Sequence, residues 1–421
     1  MNELDWLLRG CRSAATGEIV QIGIREGRIE FVRPDARPGV AGPAALADSA
    51  DTSGGPPKAK RVFDASGYVA LPGLVETHIH LDKAFLTERM PGEAADLKEA
   101  IAMTAALKGG YSPEDIGARS RRLLDRASRF GVTRMRTQVE IDPILRLMSW
   151  ESAAGLKKEY AGRIELQLVA FPQEGIFWQP GTAELLEEAA RAGADAIGGV
   201  PYNDRDSLEH LDYVFRLAES FGLPVDLHLD FSDDPEQLAI ADVIELTKKF
   251  GLQGKVAVGH LTSLGSAEPD TARRIAAGMA EAGIHAMTLP ATDLYLNGRQ
   301  DAYRVRRGLT PVKLLLDAGV NVVFGSNNVR NAFTPFGTGD PLDIALLLGQ
   351  TAHMGSAREA RLLAEMCTSR AAEALGSRGT KGLEEGEPAD LVLVKADGIL
   401  DVVYDRPRER IVWKGGRRIQ G

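Results

Sequence analysis

Residues 71–85 read LPGLVETHIHLDKAF, and two features of that stretch decide the fold. An apolar run ends in two histidines one residue apart, His78 and His80. Successive side chains of a strand point to opposite faces, so both imidazoles share one face. The run is also the first of a series. YVALPGLVETHIH (68–80) is followed by short apolar runs at 133–141, 164–171, 194–200, 224–231, 255–261, 285–290 and 321–327. Between them lie segments such as GTAELLEEAARAG and DSLEHLDYVFRLAESFG, whose apolar residues recur at helical spacing. Eight strands alternating with helices over about three hundred residues predict an α/β chain folded as a (β/α)8 TIM barrel.

The chain has 421 residues, 44% of them hydrophobic, which leaves material for a second unit beside a barrel. Residues 1–67 carry short alternating stretches such as EIVQIGIREGRIEFV, and the tail carries ADLVLVKAD and ERIVWKGGRRI. Both ends read as strands. The expected organisation is a small β-sandwich-like domain from residues 1–67 and 376–421, flanking a barrel over 68–375. Residues 34–60, rich in Pro, Gly, Ala and Asp, read as a mobile loop.

The histidines follow the barrel. In a barrel enzyme the C-terminal ends of the strands face the active site. His78 and His80 end the first proposed strand, His228 the fifth and His260 the sixth, so four of the seven histidines fall at strand ends. Clustered imidazoles suit a transition-metal ion. Alone, a His-x-His pair is a weak signal, and hydrogen-bonded histidines inside a barrel are the plainer reading. His210 and His353 lie in helical patterns and read as surface or packing residues, and His285 opens the seventh strand, at the wrong end.

Here the chain resembles the amidohydrolase superfamily, in its cytosine deaminase and N-isopropylammelide amidohydrolase branch. LPGLVETHIHLDKAF resembles the strand-1 metal motif. MRTQVEID, LQLVAFPQEGIF, NGRQDAYRVRRGLTPVKLLLDAGVNVVFG and GEPADLVLV match the branch in order along nearly the whole chain. The resemblance implies one divalent metal ion, zinc or iron with manganese as a third choice, held by His78, His80, His228 and the residue at the strand-8 position, Asn327. It implies that His260 polarises the attacked group and that Gln173 hydrogen-bonds a ring amide. A buried amide can match a donor–acceptor pair on a ring; the plainer reading of Gln173 is a loop-capping amide. ADAIGGVP, the fourth strand, has no lysine to bridge a second metal.

Three positions depart from the branch. FGSNNV puts Ser326 and Asn327 where histidine and aspartate are usual. An amide offers a carbonyl oxygen to a metal but has no basic site near neutral pH. HLDF puts Phe231 where the branch has a proton-shuttling glutamate; an apolar ring does no acid–base work, though it can line a substrate pocket. Gln138 stands where histidine is usual, a second candidate substrate contact. Asp230, Glu140 and His260 are the candidate substitute proton carriers. Period two aims Asp230 to the same side as His228.

Three functional readings follow. The first is a hydrolase acting on a C–N bond (amidine, amide or aminated ring) of a small cyclic or heterocyclic substrate, with cytosine not expected. The second is other chemistry at the same metal, such as ring opening, a lyase step or an isomerisation. The third is a homologue that has lost catalysis and binds a small ring ligand.

Composition excludes other classes. Net charge is −9 and no basic run stands out, which argues against nucleic acid and anionic membranes. RVRRG (304–308) is too short for either. No apolar run is long enough to cross a bilayer. The opening MNELDWLLRGCRS lacks the basic-then-apolar order of a signal peptide. Cys11 and Cys367 lie far apart, so no disulfide framework is expected and a reducing cytoplasm fits. Two cysteines also exclude the Pro-Cys-x-x-Cys deaminase architecture. Phosphate-loop, dinucleotide and nucleophile-elbow motifs are absent. Residues 96–131 form a long helical stretch suited either to covering the barrel mouth or to a homo-oligomer contact.

Overall fold

The computed structural model describes residues 3–35, 57–377 and 382–419. Most of the loop expected at 34–60 lies outside the described residues. Strands β1 (Trp6–Ser13), β2 (Ile19–Arg25), β3 (Arg28–Pro34), β4 (Val62–Asp64) and β5 (Tyr68–Pro72) come first. The barrel follows with β6 (Leu74–Ile79), β7 (Val132–Glu140), β8 (Glu165–Phe171) and β9 (Ala196–Gly199). It continues with β10 (Val225–Leu229), β11 (Val256–His260), β12 (His285–Thr288) and β13 (Val322–Phe324). The tail adds β14 (Leu391–Lys395), β15 (Arg410–Lys414) and β16 (Arg417–Arg418).

β6 to β13 neighbour one another in chain order, and every paired neighbour is parallel. Helices cover the outside, so these strands are buried on both faces and read as nearly continuous apolar runs. The ring closes through a bridge between Ile79 and Asn327. There His80 N–H donates to the Asn327 carbonyl at 2.9 Å and Asn327 N–H to the His78 carbonyl at 2.8 Å. Closure therefore sets Asn327 beside both first-strand histidines.

The chain ends build a mixed sheet ordered β16-β15-β14-β5-β1-β2-β3, with β4 beside β1. Leu8, Ile22, Leu391 and Trp413 fill its core. The run 68–80, expected as one strand, is two. Tyr68–Pro72 pairs antiparallel with β14, and only Leu74–Ile79 enters the barrel. Gly73 is the joint. A Cβ there would lie 2.1 Å from Thr133 Oγ1, so the chain can turn from one sheet into the other only without a side chain.

The two barrel ends are closed differently. Near the strand starts, Ala371 and Leu375 pack on Val75, Ala257, Met287 and Val323. Over the strand ends, Leu97, Ala100 and Ile101 pack with Phe231, Leu296 and Phe333. The helix Leu97–Leu107, begun by an Asp96 cap on Glu99 N–H, thus covers the mouth, as one reading of 96–131 expected. No described helix is long and apolar enough to cross a membrane.

Candidate active site at the barrel mouth

The three histidines converge. The Nε2 atoms of His78 and His80 each lie 3.1 Å from His228 Nε2, and all three rings are buried. Two ligands at ~2.1 Å from a tetrahedral ion stand roughly 3.4 Å apart, so the spacing is close to what a metal needs. His80 and His228 keep unpartnered, buried Nδ1 atoms, and Asn327 keeps an unpartnered, buried Oδ1. Among the described residues this is the one histidine-and-acid cluster tight enough for an ion. Burial, and for His80 the nearby Lys83, hold the His80 and His228 imidazoles uncharged well below the usual histidine range. Neutral rings are what metal ligation requires.

His78 is oriented from behind. Its Nδ1 lies 3.6 Å from Asp226 Oδ1. Asp226 takes an Arg136 guanidinium bond at 2.9 Å and a Gln138 amide bond at 3.1 Å. Burial would raise the Asp226 carboxyl, but His78 and Arg136 together hold it low. A carboxylate behind a ligating histidine fixes its tautomer and strengthens it as a ligand. Gln138, expected to touch substrate, is fully buried at this inner position, with Nε2 3.4 Å from His78 Nδ1. It does not line the pocket.

Ser326 also has an inner role. Its hydroxyl donates to Glu76 Oε2 at 2.6 Å and its N–H to Oε1 at 3.0 Å. Burial lifts the Glu76 carboxyl to about 7 against these bonds. Gly325 precedes it because a Cβ would sit 2.7 Å from the His78 carbonyl oxygen.

The pocket above the histidines is walled by His260, Gln173, Lys83, Phe231, Asn328 and Phe333. His260 leaves the β region (φ 73) and gives its Nδ1 to Asp293 Oδ1 at 2.6 Å. Phe231 lies flat on the His260 ring, centroids 4.0 Å apart. Gln173 accepts Lys83 Nζ at 2.6 Å. Lysine only donates, so the amide oxygen is spent on Lys83 and the amide NH2 remains available.

Asp230 departs from its expected direction. Its φ of 50 breaks the strand alternation, and its carboxylate accepts the N–H groups of Ala239 and Ile240 at 2.9 and 3.1 Å. It caps the helix Ile240–Lys249 and does not line the pocket. Burial still lifts it to about 7. Glu140 is taken too, between Lys83 at 3.0 Å and Lys108 at 3.3 Å. His210 is a packing residue, with Nδ1 on Asp204 and Nε2 accepting Val200 N–H.

Lys83, Asp293 and Asp226 are the residues that reading the sequence did not assign. Lys83 sits three residues after His80 and Asp226 two before His228, which is the available signal for each. Asp293, in the first turn of the helix Pro290–Leu296, has no local signal; only the fold brings it to His260.

The family model described as amidohydrolase family matches residues 92–420. The N-isopropylammelide isopropyl amidohydrolase of Pseudomonas sp. (strain ADP) is 27% identical over 370 residues, 86% of this chain and 88% of the relative. The pterin deaminase of Rhizobium rhizogenes is 28% identical over 351 residues, 83% and 80% of the two chains. A crystal structure of 5-methylcytosine deaminase from Klebsiella pneumoniae with 5-fluorocytosine matches with a TM-score of 0.89 at 27% identity, covering 98% of this chain and 97% of that one. A family match over most of the chain, joined to the barrel and its histidine cluster, makes this protein a member of the amidohydrolase family, hydrolases of C–N bonds other than peptide bonds.

Proposed function

We propose that this chain uses one divalent metal ion to hydrolyse a C–N bond (amidine, amide or aminated ring) of a small cyclic or heterocyclic substrate, releasing ammonia or an amine. The observation that carries the reading is the convergence of three buried imidazoles, with His78 and His80 Nε2 each 3.1 Å from His228 Nε2, beneath the pocket. His78, His80 and His228 would hold the ion, and the unpartnered Asn327 Oδ1 faces the same space. A nitrogen-rich set suits zinc or iron, with manganese third. Such an ion supplies Lewis acidity and lowers the pKa of water it binds to about 7.

The protein residues do the rest. With Phe231 in place of an acid, Asp230 capping a helix and Glu140 between two lysines, His260 is the proton carrier of the pocket. Asp293 on its Nδ1 orients the ring and stabilises it when it takes a second proton on Nε2. That proton can then pass to the departing nitrogen. Gln173 presents its NH2 to a ring oxygen. Phe231 gives the wall an apolar face against a planar ligand. Cytosine is a poor match, because its deamination asks for a proton delivered to the ring nitrogen, and the acid at the Phe231 position is missing.

The test is elemental analysis of freshly purified, untagged protein, followed by a screen of cyclic amides, amidines and aminated rings for released ammonia or amine. About one equivalent of metal is expected, lost in the His78→Ala/His80→Ala control, with turnover of some member of the screen. No metal after reconstitution with zinc, iron or manganese would refute the reading, as would efficient turnover by the double alanine variant.

A further inference from the structure

The pocket above the histidines is shut. Its walls leave a cavity of about 10 Å3, room for about one water molecule. Sites for small molecules ordinarily enclose roughly 300–1,000 Å3, and a heterocycle does not fit here. Part of the wall must move before a ring can reach His260. Most of the wall is tied to the barrel. His80, His228, His260 and Asn327 stand at or just past the ends of strands, and Phe231 is stacked on His260. Leu97 comes from elsewhere. It is the first residue of the helix Leu97–Leu107, which lies across the mouth.

That helix is held lightly. Of its 11 residues, Ala100 and Thr104 are the buried ones, whereas Ile116, Leu123, Leu124 and Ala127 anchor the next helix, Pro113–Arg129, among others. Thr104 spends its hydroxyl on the Ala100 carbonyl of its own helix, at 2.8 Å. Leu97 and Ile101 pack with Phe231, Leu296 and Phe333 but are only partly buried. Among the described residues, one hydrogen bond ties residues 91–107 across the mouth: Arg299 Nη1 donates to the Ala94 carbonyl at 2.5 Å. Few buried apolar contacts and few cross-links are the marks of a segment that opens locally while the rest stays folded.

The two roots of the segment are fixed. On one side Arg89 Nη1 donates to Asp115 Oδ2 at 2.9 Å. On the other, the Lys108 ammonium is fully buried, 2.7 Å from Asp142, 2.6 Å from Glu174 and 3.3 Å from Glu140. Breaking up a buried ion cluster is costly, so the helix pivots at its Lys108 end. Near the other end Gly92 is exposed, with open space where a Cβ would be, and a joint there meets no packing.

We propose that residues 91–107 form a gate, shut in this structure, which lifts off Phe231 and Phe333 to admit substrate and is latched by Arg299 on the Ala94 carbonyl. The proposal rests on this pocket being the active site. Lifting takes Leu97 out of the wall and opens the way to His260; shutting excludes water from the reacting groups. The latch follows the helix Pro290–Leu296, which carries the Asp293 partner of His260. One connection of the barrel therefore holds both the latch and the residue that orients the proton carrier.

The experiment follows two rates in purified, zinc-loaded protein: amide hydrogen exchange read by mass spectrometry, and loss of zinc to 1,10-phenanthroline. Phenanthroline is larger than the cavity, so it reaches the ion only through an open gate. Amides of Leu97–Leu107 should exchange at least about tenfold faster than those of Pro113–Arg129. Arg299→Ala should speed both that exchange and zinc loss about fivefold, the size of one hydrogen bond, with exchange in Pro113–Arg129 unchanged. Arg299→Lys should restore part of the latch. Leu97→Ala, which keeps the latch but loosens the grip on the pocket, should also speed zinc loss, so the proposal remains testable if Arg299→Ala does not fold. Protection of Leu97–Leu107 equal to that of Pro113–Arg129 overturns it, as does zinc loss that neither variant accelerates. Protein that takes up no metal would sink the hydrolase reading and leave the exchange comparison to decide the gate; a helix as protected as its neighbour in a protein that turns over substrate would sink the gate alone.

Discussion

Asn327→Asp has two effects of opposite sign. In chelated protein the new carboxylate would be buried, since Asn327 is 1% exposed, next to histidines that burial keeps neutral. Glu76 supplies the scale. It accepts bonds from Ser326 Oγ, Ser326 N–H and His78 N–H, yet burial holds it at about 7 against an ordinary 4.5. That gap corresponds to about 3 kcal/mol. The Asn327 Oδ1 accepts no well-formed hydrogen bond and has only the His80 ring beside it, so the new carboxylate should cost roughly 3 kcal/mol and lower the melting temperature by several degrees. The sign with pH follows. A carboxyl raised in the folded state is destabilising above its folded pKa, and the penalty fades as pH falls toward the unfolded value of about 3.9. The deficit should thus be largest near pH 8 and small near pH 4. Metal reverses the effect, because the carboxylate adds one negative charge to a neutral donor set. Each tenfold gain in affinity returns about 1.4 kcal/mol. Scanning calorimetry with chelator and with added zinc or iron, across pH, reads both effects. A chelated variant that melts like the parent, or a metal-induced shift equal in both proteins, would refute the geometry assigned to Asn327.

Three further outcomes are expected. Gly325→Ala forces a Cβ to 2.7 Å from the His78 carbonyl and 2.9 Å from Glu76 Oε1; it should cost about 1–3 kcal/mol and lower metal occupancy, read by melting and elemental analysis, and no change in either would contradict the crowding. Asp293→Asn should lower kcat about a hundredfold or more, with metal content unchanged, on whichever substrate the screen yields; a variant at near-parental kcat would remove His260 as proton carrier. The Asp204 carboxyl is held at about 2, against burial, by His210 and the Ile176 and Phe177 N–H groups. Its stabilisation is full above the unfolded value of about 3.9 and is lost as pH falls through the folded value, so Asp204→Asn should flatten the stability profile between about pH 4 and 2. An unchanged acid limb in that variant would dismiss the linkage.

Most of the scaffold was legible because barrel strands announce themselves by short buried apolar runs between helical patterns. Seven of the eight proposed runs contain the observed barrel strands and the run at 133–141 misses only Val132 of β7, and His78, His80 and His228 meet because each lies at or just past the end of its strand on the inner face. The missed boundary at Gly73 has a simple cause. Apolarity continues across it, so pattern alone reads one strand; what divides it is the close approach of Thr133, a tertiary fact. Gln138 was placed on the pocket by its position in the branch, but alternation along β7 carries it inside, toward Asp226. Asp293 carries no signal of its own, since it lies on a helix and its partner stands thirty-three residues away at the end of a strand.

Asp230 shows where such reading stops. Period two aims it with His228, and it would have been the natural base. Yet the backbone turns left-handed at Asp230 (φ 50), His260 (φ 73), Leu261 (φ 57) and Asn327 (φ 54), each at or just past the end of a barrel strand. Such conformations cost about 1–3 kcal/mol for non-glycine residues and persist where the surroundings hold them. Here the holding contacts are identifiable: Asp230 on the helix at 240, His260 on Asp293, and Asn327 in the bridge that closes the barrel. Sequence periodicity describes residues in regular strands, and the chemistry begins one residue later, where the strand has ended. The histidines inside the strands or directly following them, His78, His228 and His80, could therefore be picked out from pattern, whereas the direction of Asp230, the partner of His260 and the oxygen of Asn327 depend on turns that only the packed barrel specifies.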